Sequence, residues 1–141
     1  MAVTKMGYEG LLYYGAAGST AATQLTNCQD IKLDLDHEEG DTTVRGSGSS
    51  PPIKTVCATA IMVGLEFTMI NDSSDASLTA MKNAAGAKTP IALRGKDYSS
   101  GKGPDADVIL KMSAPWPLKG EQAITFTATP NRDNRTPVAY T

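Results

Sequence analysis

His37 is the only imidazole in the chain, so a Ser-His-Asp or Cys-His arrangement would have to run through it. It sits in the acidic run Asp34-Leu35-Asp36-His37-Glu38-Glu39. The carboxylates ahead of Gly40 have a faint calcium-loop look. An EF-hand, however, puts its glycine one residue earlier and a glutamate at its twelfth position, which here is Arg45. A weak cation site and a solvated strand face both account for such a row, and the second needs nothing more. Gly101-Lys102 imitates a phosphate loop, but five residues rather than four separate Gly95 from Gly101, and Gly103 replaces the required Ser or Thr. Cys28 and Cys57 lack a CxxC neighbour and are too few for a disulfide framework, so both read as free thiols. No catalytic residue, metal ligand or cofactor site is nominated, and an enzyme is not expected.

The elements that carry these residues are mostly strands. Ile31 to Asp36 alternates apolar and charged positions, and Val63 to Met69 alternates likewise, so each strand has one buried and one wet face. By parity His37 closes the core-facing row of Ile31, Leu33 and Leu35. Between the two strands lies a polar stretch from Glu38 to Pro52, longer and less apolar than a compact domain requires. Loops of that kind are functional or disordered, and this one could reach a neighbouring subunit. The second strand resumes near Ile53 and runs on to Ile70.

Asn71 to Asp75 offers short polar caps for a helix over about residues 74–86, with Leu78, Met81 and Ala85 as its apolar stripe and Gly86 as its left-handed cap. Further strands are read at Gly7–Tyr14, Thr89–Arg94, Val108–Met112 and Gln122–Thr129. About seven strands and one helix predict a mainly β fold, a β-sandwich or small barrel with one flanking helix and a long β-hairpin loop. The chain reads as a single domain, 1–141, with a mobile loop 39–55 and a polar C-terminal tail 131–141.

The composition is ordinary for a globular protein, at 40% hydrophobic and 20% charged residues. A net charge of −2 supplies no basic field to grip nucleic acid phosphates. The N-terminus has no apolar run of secretory type, and no window approaches a membrane span of ~20 apolar residues. Assembly in the cytoplasm is the expectation. If copies of the chain formed a ring with the acidic strands inward, Asp34, Asp36 and Glu66 would line a negative lumen that DNA could pass without sticking; an exposed face on a monomer explains the same pattern. Such repulsion reaches only about 8 Å at physiological salt.

Thr26-Asn27-Cys28-Gln29-Asp30-Ile31-Lys32-Leu33-Asp34-Leu35, leading into Glu38-Glu39-Gly40-Asp41-Thr42-Thr43-Val44-Arg45-Gly46, resembles the tail tube (major tail) proteins of long-tailed bacteriophages. So do Asp105-Ala106-Asp107-Val108 and Pro117-Leu118-Lys119-Gly120-Glu121-Gln122, and the similarity covers most of the chain in order and length. The resemblance implies a structural protein whose copies close into hexameric rings, stacked into a hollow tube for DNA delivery in the virion tail. It also implies a hairpin loop that orders on stacking. Here that is Glu39 to Thr55, with Glu39, Asp41, Thr42, Thr43, Val44, Arg45, Gly46, Ser47, Pro51 and Pro52 as the inter-ring assembly residues.

The implied partners are further copies of the chain, the tape measure, tail tip or baseplate and tail terminator proteins, and DNA in transit. Tube proteins of contractile tails, phage-tail-like bacteriocins and type VI-like secretion systems share the implied architecture. A small β-sandwich binding module, touching a carbohydrate or protein ligand through its Tyr98 and Trp116 loops, is the rival from another class.

Overall fold

The computed structural model describes residues 3–46 and 48–141. A short 3-10 turn at Gly7–Glu9 precedes strands β1 (Leu11–Ala16), β2 (Thr23–Gln24), β3 (Cys28–Asp41) and β4 (Val56–Ile70). Helix α1 (Ala76–Ala87) follows, then β5 (Ile91–Lys96), β6 (Asp105–Ser113) and β7 (Ala123–Asn131). The strands form one antiparallel sheet in the order β2-β1-β5-β6-β7-β4-β3. The mainly β architecture with one helix is as expected. Of the two layouts the sequence offered, two stacked sheets or a rolled one, the strands adopt the rolled one.

The roll follows from where the apolar rows point. Leu12 on β1 and Leu65 on β4 belong to the same buried cluster as Phe67, Met69, Val108, Ile124 and Phe126, with Leu33 of β3 packed against it. In a flat sheet β1 and β3, five positions apart in the strand order, would be separated by about 24 Å. Curling brings both flanks onto one core. Phe67 and Phe126 are register partners on β4 and β7, and their rings stack 5.3 Å apart at the centre. Helix α1 joins the end of β4 to the start of β5, and its Leu78, Met81 and Ala84 are buried in the same cluster.

The helix starts where Asp75 accepts a hydrogen bond from the Ser77 N–H. It does not stop at Gly86. The left-handed residue is Lys88, at φ 59°, whose N–H reaches the Ala84 carbonyl, and Pro90 then prevents continuation. Among the described residues no helix is long and apolar enough to cross a membrane.

Neither cysteine is paired. Burial pushes the Cys28 thiol up to about 11, with the nearby Asp75 carboxylate adding to the shift, whereas Cys57 is exposed on the distal part of β4. A thiol ordinarily ionises near ~8.5, so at pH 8 Cys28 holds roughly one part in a thousand as thiolate, far below an ordinary thiol. Iodoacetamide at pH 8 is therefore expected to alkylate Cys57 quickly and Cys28 roughly 100-fold more slowly until the protein is unfolded. Mass spectrometry of timed samples reads this directly; equal rates would mean that Cys28 is not packed as described. The raised pKa also carries a sign. The neutral thiol is favoured by the fold, so its contribution is complete below about 8.5 and declines as pH rises through about 11.

Candidate assembly surfaces

Two strands outgrow their sheet. The ladder between β4 and β7 runs from Ile70↔Ala123 to Leu65↔Ala128, while β3 and β4 stay paired as far as Asp41↔Val56. Beyond the end of β7, the pairs from Asp36↔Met62 outward form a two-stranded arm about 20 Å long. A register shift between Glu38 and Glu39 bends it. Thr42 donates its N–H to the Thr55 carbonyl and shares a 2.8 Å hydroxyl contact with Thr55, closing the arm at its tip. Asp41 starts the tip with an Asx turn to the Thr43 N–H, and Thr43, through its side chain and then its backbone, holds the Asp41 carboxyl below the usual carboxylate range.

The tip is therefore shorter than the sequence predicts. Glu39 and Asp41 are ladder residues, and the connection proper spans 42–55. Thr42, Thr43, Val44, Arg45, Pro51 and Pro52 are exposed there, with Gly46 half-buried; Ser47 lies outside the described residues. Val44 and Ile53 are 77% and 81% exposed.

The expected core-facing row fails along the arm. Leu33 packs on the core, but Ile31, Leu35 and His37 are exposed, as is Ile61 opposite His37. The alternation is real; Pro130, Pro137 and Ala139 face Ile61 and Val63 across a cavity on that apolar side, while Leu35 and His37 stay exposed. The His37 imidazole lies beside Glu39, with Nε2 3.5 Å from Oε1.

The acidic residues do share a face, because directly paired residues in an antiparallel ladder point the same way. Asp34 opposes Gly64, Asp36 opposes Met62, and Glu66 opposes Lys32. All three carboxylates are exposed. The face is not purely negative. Lys32 Nζ lies 3.5 Å from Asp34 Oδ2, and across the sheet Glu66 is followed by Thr127 and then Lys111. Exposed pairs of this kind contribute little to stability.

Both sheet margins are open. Among the described residues β2 pairs only at Gln24 and Thr23, and the outer side of β3 has no strand partner over its 14 residues. A long unpaired edge is a template for another chain.

A polar cluster anchors the C-terminal segment, which the sequence presents only as a polar tail. Asp107 is 0% exposed within β6, accepting the Gly18 N–H at 2.8 Å and the Arg135 Nε at 2.8 Å. Arg135 Nη1 reaches Asp105 Oδ1, also at 2.8 Å. Burial works against the guanidinium charge, but the hydrogen bonds it donates to Asp107 and Asp105 outweigh that and hold the Arg135 pKa above its ordinary value. Val138 and Asp105 exchange both backbone hydrogen bonds, as do Thr141 and Gly103. Residues 138–141 thus resume alongside β6 where β7 ends.

Tyr98 and Trp116 sit on consecutive connections, β5–β6 and β6–β7, which leave opposite ends of β6. Nine strand residues, about 30 Å, separate those ends. A single small ligand such as a short carbohydrate cannot touch both loops at that separation. No group of three metal-ligating side chains is assembled among the described residues.

No protein-family model and no curated protein sequence matches the chain. Solved structures do. A chain from the tail of an empty GTA particle, determined by helical refinement with C6 symmetry, superposes with a TM-score of 0.74 at 11% identity, covering 96% of this chain and 98% of that one. The SPP1 tail tube, a hybrid structure from solid-state NMR and cryo-EM, gives a TM-score of 0.64 at 10% identity over 89% of this chain and 75% of that one. The likeness is one of fold.

Proposed function

We propose that the chain is a structural subunit of a phage-like tail tube, with six copies closing into a ring and rings stacking into a hollow conduit for DNA. The observation that carries this reading is an arm that projects about 20 Å past its own sheet, exposed on both faces, in a fold matched end to end by a tail protein from a C6-symmetric particle. A monomer gains nothing from such an arm. An assembly gains contacts between layers, and pairing along the β3 margin removes an edge that would otherwise aggregate.

In this reading the face bearing Asp34, Asp36 and Glu66 turns toward the lumen, with Lys32 and Lys111 tempering its charge. DNA then meets a weakly repulsive wall and passes without adhering. The arm tip, 42–55, works between rings. Tape measure, tail tip or baseplate and terminator proteins would cap or template the tube, and the virion tail is its location. A tube of a contractile tail, bacteriocin or secretion machine would use the same subunit, and an encoded sheath partner distinguishes it.

Purified protein at high concentration is expected to give rings or tubes with a central hole in negative-stain electron microscopy. A monodisperse monomer under all assembly conditions would overturn the proposal.

A further inference from the structure

We infer that the β6–β7 connection, carrying Trp116 and Leu118, is the seat on which the arm tip of a second copy docks; this rests on the tube reading above and names the surface that the arm engages. The topology makes the contact head to tail. β4 runs the whole length of the subunit, leaving the arm at one end and meeting β7 at Ile70↔Ala123 at the other, beside the β6–β7 connection. A copy displaced along the strand direction brings its arm tip to that connection. The patches differ, so the contact is heterologous and repeats without limit, as stacking requires.

The seat is built for contact. Trp116 is 79% and Leu118 99% exposed, far more than isolated packing would leave on a Trp and a Leu. Pro115 and Pro117 flank the tryptophan and fix the backbone on both sides, so little ordering cost remains on binding. Beneath it lies a cleft of about 270 Å³ lined by Met112, Ala114, Trp116 and Lys82. Its floor is pinned, since Asn71 donates its N–H to the Gln122 carbonyl at 2.9 Å and accepts from Lys82 Nζ at 3.3 Å. Val44 and Ile53 at the arm tip are apolar side chains of a size to enter such a cleft.

Two measurements test the seat. In a Cys57→Ser background, Val44→Cys combined with Leu118→Cys should yield, on mild oxidation of assembled protein, a ladder of disulfide-linked multimers absent from either single variant. Tubes without a ladder would overturn the seat and leave the tube reading intact; failure of the wild-type protein to form tubes would remove both. Separately, Trp116→Ala should raise the concentration needed for tube formation about 30-fold, the effect of a ~2 kcal/mol interface hot spot, with the thermal midpoint unchanged. An unchanged assembly threshold would equally overturn the seat.

Discussion

Deleting Ser47 to Pro52 should leave a folded monomer that no longer forms tubes. The hairpin survives because the ladder ends before the deleted stretch: Asp41 pairs with Val56, and Thr42 is tied to Thr55 by backbone and hydroxyl contacts. Thr43, Val44, Arg45, Gly46, Ile53 and Lys54 remain to close the turn, one residue more than the usual upper length of a hairpin loop, and shortening a loop changes its closure cost by only a fraction of a kcal/mol. None of Gly48, Ser49, Ser50, Pro51 and Pro52 belongs to the buried cluster. Circular dichroism and the thermal midpoint should therefore match the wild type within about 2 °C. Electron microscopy and sedimentation should show monomers or isolated rings, because the shortened tip no longer spans to the next layer. Normal tubes from the deletion protein would exclude a stacking role for the tip. Comparison with Trp116→Ala then separates loss of reach from loss of the seat.

Where burial acts on one face of a strand, it writes itself into the sequence as alternation, and so β4 and β7 were legible from Leu65-Glu66-Phe67 and Ile124-Thr125-Phe126 alone. Alternation does not say what covers the apolar face. In β3 the same signal assigns Leu35 and His37 to the core, but both are exposed, because the ladder of β7 on β4 stops at Leu65↔Ala128, short of their partners Val63 and Ile61. The helix was legible from its cap and stripe, but its stop was not. Gly86 has the residue type for a left-handed turn, while Lys88 occupies that turn because the hydrogen bond to Ala84 and the approach of Pro90 set the position. The least legible feature is Asp107. An aspartate in a strand reads as a solvent-facing residue, and its guanidinium partner lies 28 residues later in a segment whose polarity reads as surface. Only the folded chain brings them together. The weak local hint was the Asp105-Ala106-Asp107 spacing, which places both carboxylates on the same side of β6.

That cluster gives the largest expected loss of stability. Asp107→Ala removes the acceptor for two donors at once, the Gly18 N–H and Arg135 Nε, at a site with no access to water. The arginine side chain, only 21% exposed, keeps Asp105 but loses its better-buried counter-charge. Breaking one partner of a buried pair typically costs 3–5 kcal/mol, because the remaining charge stays desolvated, and a domain of this size has only ~5–15 kcal/mol in total. A fall in thermal midpoint of about 10–15 °C is expected by calorimetry. The effect should spread to both segments the cluster ties down, the turn at Gly18 and residues 138–141, where hydrogen exchange should accelerate at Val138 and Thr141. Arg135→Ala should cost a similar amount, and the double variant less than the sum, since removing both charges leaves neither stranded. Additive losses would mean that the two side chains do not act as a pair. Because the cluster acts within one subunit, at the end of β6 opposite the Trp116 connection, either variant that still folds should assemble at low temperature. Its tubes should then come apart near the lowered midpoint, which distinguishes a fastening within the subunit from a contact between subunits.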